Sequence, residues 1–156
     1  MAKFVYGIVT AALAGTDLCC KSYVEKNVKK GEEKSVLKDK VSIRKVYNEG
    51  MAFNLAEKYP NAVKVLSGVV CGVVGIYAVF EWFKGACVWK KIGTSMTLAG
   101  AISNTYDRFV RKHVVDYFGF NTKWKKFNRI TFNLGDLFIF LGSLIWFAAE
   151  LFGHKK

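Results

Sequence analysis

Histidine is almost missing from this chain of 156 residues: only His113 and His154 are present, and neither belongs to an H-E-x-x-H pattern. A zinc hydrolase is thereby left without its ligands. Cysteine is scarce as well, and Cys19, Cys20, Cys71 and Cys87 show no C-x-x-C spacing. Three of them fall inside apolar runs, so they read as small buried residues, not as a disulfide framework or a metal site. Acids are outnumbered, with 12 Asp and Glu against 24 Lys and Arg, for a net charge of +12. That excess suggests anionic partners. No DNA or RNA motif accompanies it, and the basic residues lie between apolar runs, so lipid head groups are the expected partner and nucleic acid is not.

What the chain has instead is apolar length. Hydrophobic residues make up 52% of it and aromatics 15%. A bilayer core of about 30 Å takes about 20 mostly apolar residues per helix. Four stretches approach that: Phe4 to Cys20, Ala62 to Phe83, Ile92 to Tyr106 and Ile130 to Phe152. A soluble helical protein would need polar surface to cover four such runs, and little is left over. The expected fold class is therefore an all-α integral membrane protein, one membrane-embedded domain with four transmembrane helices over about 4–24, 62–83, 88–106 and 133–152. The first run has another reading, as a cleaved secretory signal with Ala12-Leu13-Ala14 before Gly15. Against it, the run continues into Asp17 and Lys21, and only three spans would remain.

Between the first two spans, Glu25 to Tyr59 contains KKGEEKSVLKDK and VSIRKVYNEGMAF. Val41, Ile43 and Tyr47 occupy odd positions, with Lys45 breaking the series, which fits a short strand pair lying on the membrane surface. Gly85 to Lys91 is a short connection of the kind that joins antiparallel neighbours. The segment from Asp107 to Asn133 mixes aromatics and lysines in YFGF and NTKWKKF, as interfacial segments do. Gly68 and Gly72 form a G-x-x-x-G, a spacing for close helix packing. The two long connections carry sixteen Lys and Arg, against six on the side of the termini. By the positive-inside rule alone, the termini would lie outside.

An ionisable side chain within or beside a membrane span is costly, which makes Asp17, Asp107, Asp116 and Asp136 functional candidates. Asp136 heads a stretch, Leu137 to Ala149, without a formal charge. Its structural reading is strong: Asn133 can cap the helix, and an acid three residues later lies in the first turn, where the macrodipole favours negative charge. Asp116, between Val114-Val115 and Tyr117-Phe118, has no such capping role. Two aspartates brought together would leave one carboxyl protonated beside one ionised. Such a pair hydrolyses a peptide bond with no metal and no covalent intermediate. Nothing in the spacing proves that they meet. A small non-enzymatic four-helix membrane protein, with its aspartates serving ion passage or caps, stays open at this point, as does a basic scaffold for anionic polymers.

The motifs resemble those of the bacterial lipoprotein signal peptidases, in the family's order along nearly the whole chain. Asp17 and Lys21 resemble a D-x-x-x-K, and Asn48-Glu49-Gly50-Met51-Ala52-Phe53 an N-x-G-x-A-F. Gly100 to Arg108 resembles G-A-x-G-N-x-x-D-R, followed by Val114-Val115-Asp116, and Phe132-Asn133-Leu134-Gly135-Asp136 resembles F-N-x-A-D. Four departures stand out: Ser103 for glycine, Lys112 for glycine, Gly135 for alanine and Leu137 for serine. The resemblance implies an aspartic endopeptidase without cofactor that cuts prolipoproteins before a diacylglyceryl-modified cysteine. It implies a catalytic pair at Asp116 and Asp136. Asn104 and Asn133 would fix the carboxyls, Asn48 and Arg108 would hold the substrate backbone, Gly50 would bind substrate or support the site, Asp107 would pair with Arg108, and Asp17 would brace the site. It further implies termini in the bacterial cytoplasm, with the small β-rich loop and the active site at the outer face of the inner membrane. The charge count conflicts with that orientation.

Overall fold

The structure, a computed structural model, describes residues 2–50, 56, 58–85, 87–124 and 127–152. In chain order it has α1 (Ala2–Asn27), β1 (Glu33–Val36), β2 (Val41–Asn48), α2 (Pro60–Phe83), α3 (Val88–Val110), β3 (Val114–Phe120), a single 3-10 turn (Phe127–Arg129) and α4 (Leu134–Phe152). The only proline, Pro60, opens α2. At a first helical position its missing N–H costs nothing.

Three of the helices turn large apolar side chains outward. Phe4 and Ile8 on α1, Val69, Val73 and Ile76 on α2, and Phe140, Leu144 and Phe147 on α4 are all exposed. A continuous apolar surface of this kind is matched to hydrocarbon, not water. Phe4–Asn27, Pro60–Phe83 and Leu134–Phe152 are long and apolar enough to cross a membrane. Helix α3 is less apolar because it packs against the other three helices. It can therefore bury Thr94, Ser95, Ser103, Asn104 and Asp107 against protein.

The tight helix contact is between α3 and α4. A Cβ at Gly142 would lie 2.6 Å from the Thr97 amide nitrogen, and one at Gly93 would lie 2.6 Å from that of Trp146. Of the expected packing pair, Gly68 has a close helix contact, a Cβ there lying 3.2 Å from the Phe109 ring of α3, whereas among the described residues nothing lies within 4 Å of a Cβ at Gly72. The cysteines also differ from expectation. Cys19 is exposed, while Cys20, Cys71 and Cys87 are partly buried, and all four are free. A helix whose outer face meets lipid has no need to bury small apolar residues.

The strand pair expected in the first connection is present as β1 and β2, and β3 completes an antiparallel sheet of order β1-β2-β3. Where Lys45 broke the alternation, the β2–β3 register shifts between Ile43 and Val46, and the Lys45 ammonium donates to the Glu25 carbonyl at 3.1 Å. Strand β3, read from the sequence as an interfacial segment, is almost wholly buried. Covered on both faces, it is apolar on both sides of Asp116 and shows none of the alternation of a half-exposed strand. Val115, Tyr117 and Phe118 form its core with Val24 of α1 and Val28 just beyond that helix, and Val41 and Ile43 pack against them.

Lys112, just beyond the end of α3, has φ of 72°. The left-handed conformation there closes the helix and suits glycine, and a lysine in it is strained by about 1 kcal/mol or more. Lys112→Gly is expected to stabilise the protein by about 1 kcal/mol, read as a higher thermal unfolding midpoint in detergent.

Candidate active site

Strand pairing and a helix start bring Asp116 and Asp136 to one place. On β3, Asp116 pairs opposite Val46 of β2. Asn48, two residues further along β2, shares that face, and its amide donates to Asp116 Oδ2 at 3.2 Å. Asp136 sits in the first turn of α4. Its backbone N–H donates to Asn133 Oδ1 at 2.9 Å, while the Asn133 N–H donates to Asp136 Oδ2 at 3.1 Å. That reciprocal cap is the one the sequence implied for Asn133.

Asn133 does more than cap. Its side-chain amide donates to Asp116 Oδ1 at 2.6 Å, so one fully buried asparagine ties both acids together. Asn104, on α3, donates to Asp136 Oδ1 at 2.9 Å. Burial foremost, and the nearby charge of Asp136 next, push the Asp116 carboxyl from the ordinary aspartate range up to about 7, against the pull of the Asn133 and Asn48 amides. Both acids line a cavity of about 480 Å³ together with Asn48, Asn104 and Arg108. Its far wall is formed by α2 and α4 and includes Val70, Ile139 and Phe140.

Arg108 donates through Nη2 to the Gly50 carbonyl at 2.9 Å, and the Gly50 N–H donates to Asn48 Oδ1 at 3.0 Å. Among the described residues the buried Arg108 Nε–H has no partner. Met51, Ala52 and Phe53 of the same motif lie outside the described residues, as does His154.

The expected Asp107–Arg108 pair is not formed. Consecutive helical residues point in different directions, and Asp107 instead meets Arg111 at 3.0 Å and Lys21 at 3.3 Å. It also accepts the Val115 N–H at 3.1 Å, anchoring the start of β3.

Beneath the acids lies a polar cluster that sequence reasoning only partly reached. Lys21 and Asp17, one turn apart on α1, are 2.9 Å apart and completely buried. The Lys21 ammonium also donates to Asn104 Oδ1 at 2.7 Å and to Ser103 Oγ at 3.1 Å. Ser103 donates to Asp17 Oδ2 at 2.6 Å, and Tyr117 donates to Asp17 Oδ1 at 3.0 Å. The Tyr117 oxygen accepts the Leu134 N–H at 3.1 Å. Burial and the Asp17 charge hold that phenol protonated, far above its ordinary range. Lys21 stood in a motif without a role, and nothing in the spacing pointed to Ser103 or Tyr117.

Residues 9–152 match the family model described as signal peptidase (SPase) II. The chain belongs to the signal peptidase II family. A protein of Enterococcus faecalis named lipoprotein signal peptidase is 32% identical over 151 residues, spanning 97% of this chain and 90% of that protein. Another of the same name, from Fusobacterium nucleatum, is 27% identical over 154 residues, spanning 99% of this chain and 90% of its own length. The fold is similar to that of a solved bacterial membrane enzyme, studied by the in meso method at 2.3 Å resolution. The TM-score is 0.82, over 97% of this chain and 92% of that one, at 21% identity. As a signal peptidase II member the chain is a peptidase, and the non-enzymatic readings fall away.

Proposed function

We propose that this signal peptidase is an aspartic endopeptidase that removes the signal peptide from bacterial prolipoproteins, cutting before the diacylglyceryl-modified cysteine. Asp116 and Asp136 are its catalytic pair. The observation that carries this reading is that one residue, Asn133, hydrogen-bonds both carboxyls where they face the same cavity. The cavity's apolar wall suits a lipid-bearing substrate, since Val70 and Phe140 are themselves exposed on the helix surface.

The chemistry follows from one proton shared by two acids. Asp116 carries it and hydrogen-bonds the scissile carbonyl, while ionised Asp136 takes a proton from water as the oxygen adds to the carbonyl carbon. The carbonyl oxygen receives the Asp116 proton. On collapse the leaving nitrogen takes the proton held by Asp136, and the new acid product returns a proton to Asp116. Arg108 offers its free Nε–H to a substrate backbone carbonyl, and Asn48 and Gly50 keep that arginine and Asp116 in register. Asn104 and Asn133 orient the carboxyls, and Asp17 braces them from α1.

The chain works as one membrane-embedded domain, with α3 as the fourth span shielded by its neighbours. The termini lie in the cytoplasm of a bacterial cell and the sheet and acids at the outer face of the inner membrane. Exposed Lys34, Lys38 and Lys40 on the β1–β2 hairpin then meet anionic head groups, and long loops weaken the charge rule that argued otherwise.

The test is cleavage of a purified prolipoprotein by the detergent-solubilised enzyme, as a function of pH and of acylation. Asp116 is a raised acid, so its proton is present below about pH 7 and lost above it. Turnover is expected to fall about tenfold for each pH unit above about 7, and the precursor without its diacylglyceryl group is expected to stay uncut. A rate that keeps rising to about pH 9, or equal cleavage of both precursors, would contradict the reading.

A further inference from the structure

We infer that Ser103 and Gly135 form a coupled positioning unit beneath the two acids: the Ser103 hydroxyl holds the Asp17 carboxylate in the space that a side chain at position 135 would need. The inference rests on Asp116 and Asp136 being the catalytic pair, since those are the groups it positions.

The Asp17 carboxylate is fixed at three points. Oδ2 accepts from Ser103 at 2.6 Å and lies 2.9 Å from the Lys21 ammonium, while Oδ1 accepts from Tyr117 at 3.0 Å. It cannot rotate without breaking one of these. A Cβ on Gly135 would lie 2.8 Å from that same Oδ2, 2.9 Å from Asn133 Oδ1 and 3.2 Å from Asn104 Oδ1. Carbon and oxygen do not pack that closely, so one methyl group would push on Asp17 and on both asparagines at once. Those asparagines carry the hydrogen bonds to Asp116 and Asp136.

Nor can the Gly135 backbone retreat. It is seated against α3 so closely that a Cβ on Gly100 would come up against the Gly135 carbonyl oxygen. The strain must be relieved at Asp17, and Ser103, which makes the shortest of its three contacts, resists that movement. Ser103 is completely buried, so deleting its hydroxyl removes a tether and opens a small space beside the carboxylate. Serine at 103 and glycine at 135 are therefore each tolerated because of the other.

The experiment is a double-mutant cycle on cleavage of a diacylated prolipoprotein in detergent: wild type, Ser103→Ala, Gly135→Ala and the double variant. Thermal unfolding and the pH profile are recorded for each. Gly135→Ala is expected to lower kcat about 100-fold in the wild-type background with KM changed less than about threefold, and to displace the limb above about pH 7. In the Ser103→Ala background the same change should cost less than about threefold. An equal loss in both backgrounds would overturn the coupling. Should Gly135→Ala alone not fold, Ser103→Ala is compared with the double variant. A folded double variant within about fivefold of Ser103→Ala supports the inference, and an unfolded or inactive one overturns it. Asp136→Asn is assayed in parallel: turnover there would refute the catalytic pair, whereas the coupling between 103 and 135 is read from the cycle itself.

Discussion

Lys21→Met should destabilise the folded protein by about 3 to 5 kcal/mol. The reason is what would be left behind. The ammonium lies within 2.9 Å of Asp17 and 3.3 Å of Asp107, and all three side chains are completely buried. Taking away the ammonium leaves the buried Asp17 carboxylate with no cation and Asp107 with Arg111 alone, and Asn104 Oδ1 loses its donor. Asp107 also anchors the Val115 N–H, so the damage reaches the strand that carries Asp116. The measurement is thermal unfolding in detergent, with a midpoint lowered by about 10 °C. Lys34→Met provides the contrast. Its bridge to Glu32 lies on the surface, with the lysine side chain 64% exposed, and exposed pairs of this sort contribute little. The two lysines look alike in composition, and only their surroundings separate them.

Asp116→Asn and Asp136→Asn should each lower kcat by about a thousandfold or more, equivalent to about 4 kcal/mol of barrier. Asparagine matches aspartate in shape but offers one acceptor oxygen where the carboxylate offers two, so at each position one of the two hydrogen bonds persists, from Asn133 or Asn48 at 116 and from Asn133 or Asn104 at 136. What it cannot do is hold or release a proton. Because the two acids work as one unit, the double substitution should be no worse than either single one. A protein using its aspartates separately, for ion passage or as caps, would instead show additive effects. Asp136→Asn also tests the cap: an amide at the third helical position can still meet the Asn133 N–H, so insertion and folding should survive the loss of turnover.

Much of this arrangement was legible in the sequence wherever one residue's role depends on its near neighbours. The runs that became α1, α2 and α4 announced themselves because lipid selects for apolar surface along a whole helix. The Asn133–Asp136 cap could be read because its partners are three residues apart. Lys45 marked the irregularity in β2 because it interrupts a period of two. Helix α3 was harder, since a helix surrounded by protein need not be apolar, and its first turns begin before the apolar run does. Strand β3 was hidden for the opposite reason, being covered on both faces and so lacking alternation.

The site's remaining parts depend on distant pairings that no local pattern encodes. Asp107 and Arg108 are adjacent in sequence, yet the helix points them apart, and the acid's true partners are Lys21 and Arg111. Tyr117 reaches Asp17 across a separation of 100 residues, and Ser103 reaches it across 86. The resemblance supplied candidate residues for the carboxyl pair. The buried cluster under that pair becomes visible only once α1, α3 and β3 are packed together.

The most direct measurement is a gel-shift assay of a diacylated prolipoprotein in detergent, with wild type, Asp116→Asn and Asp136→Asn side by side and each shown to be folded. Wild type alone is expected to release the signal peptide, leaving a product that begins at the lipid-modified cysteine. Turnover by either folded variant at near the wild-type rate would contradict this expectation.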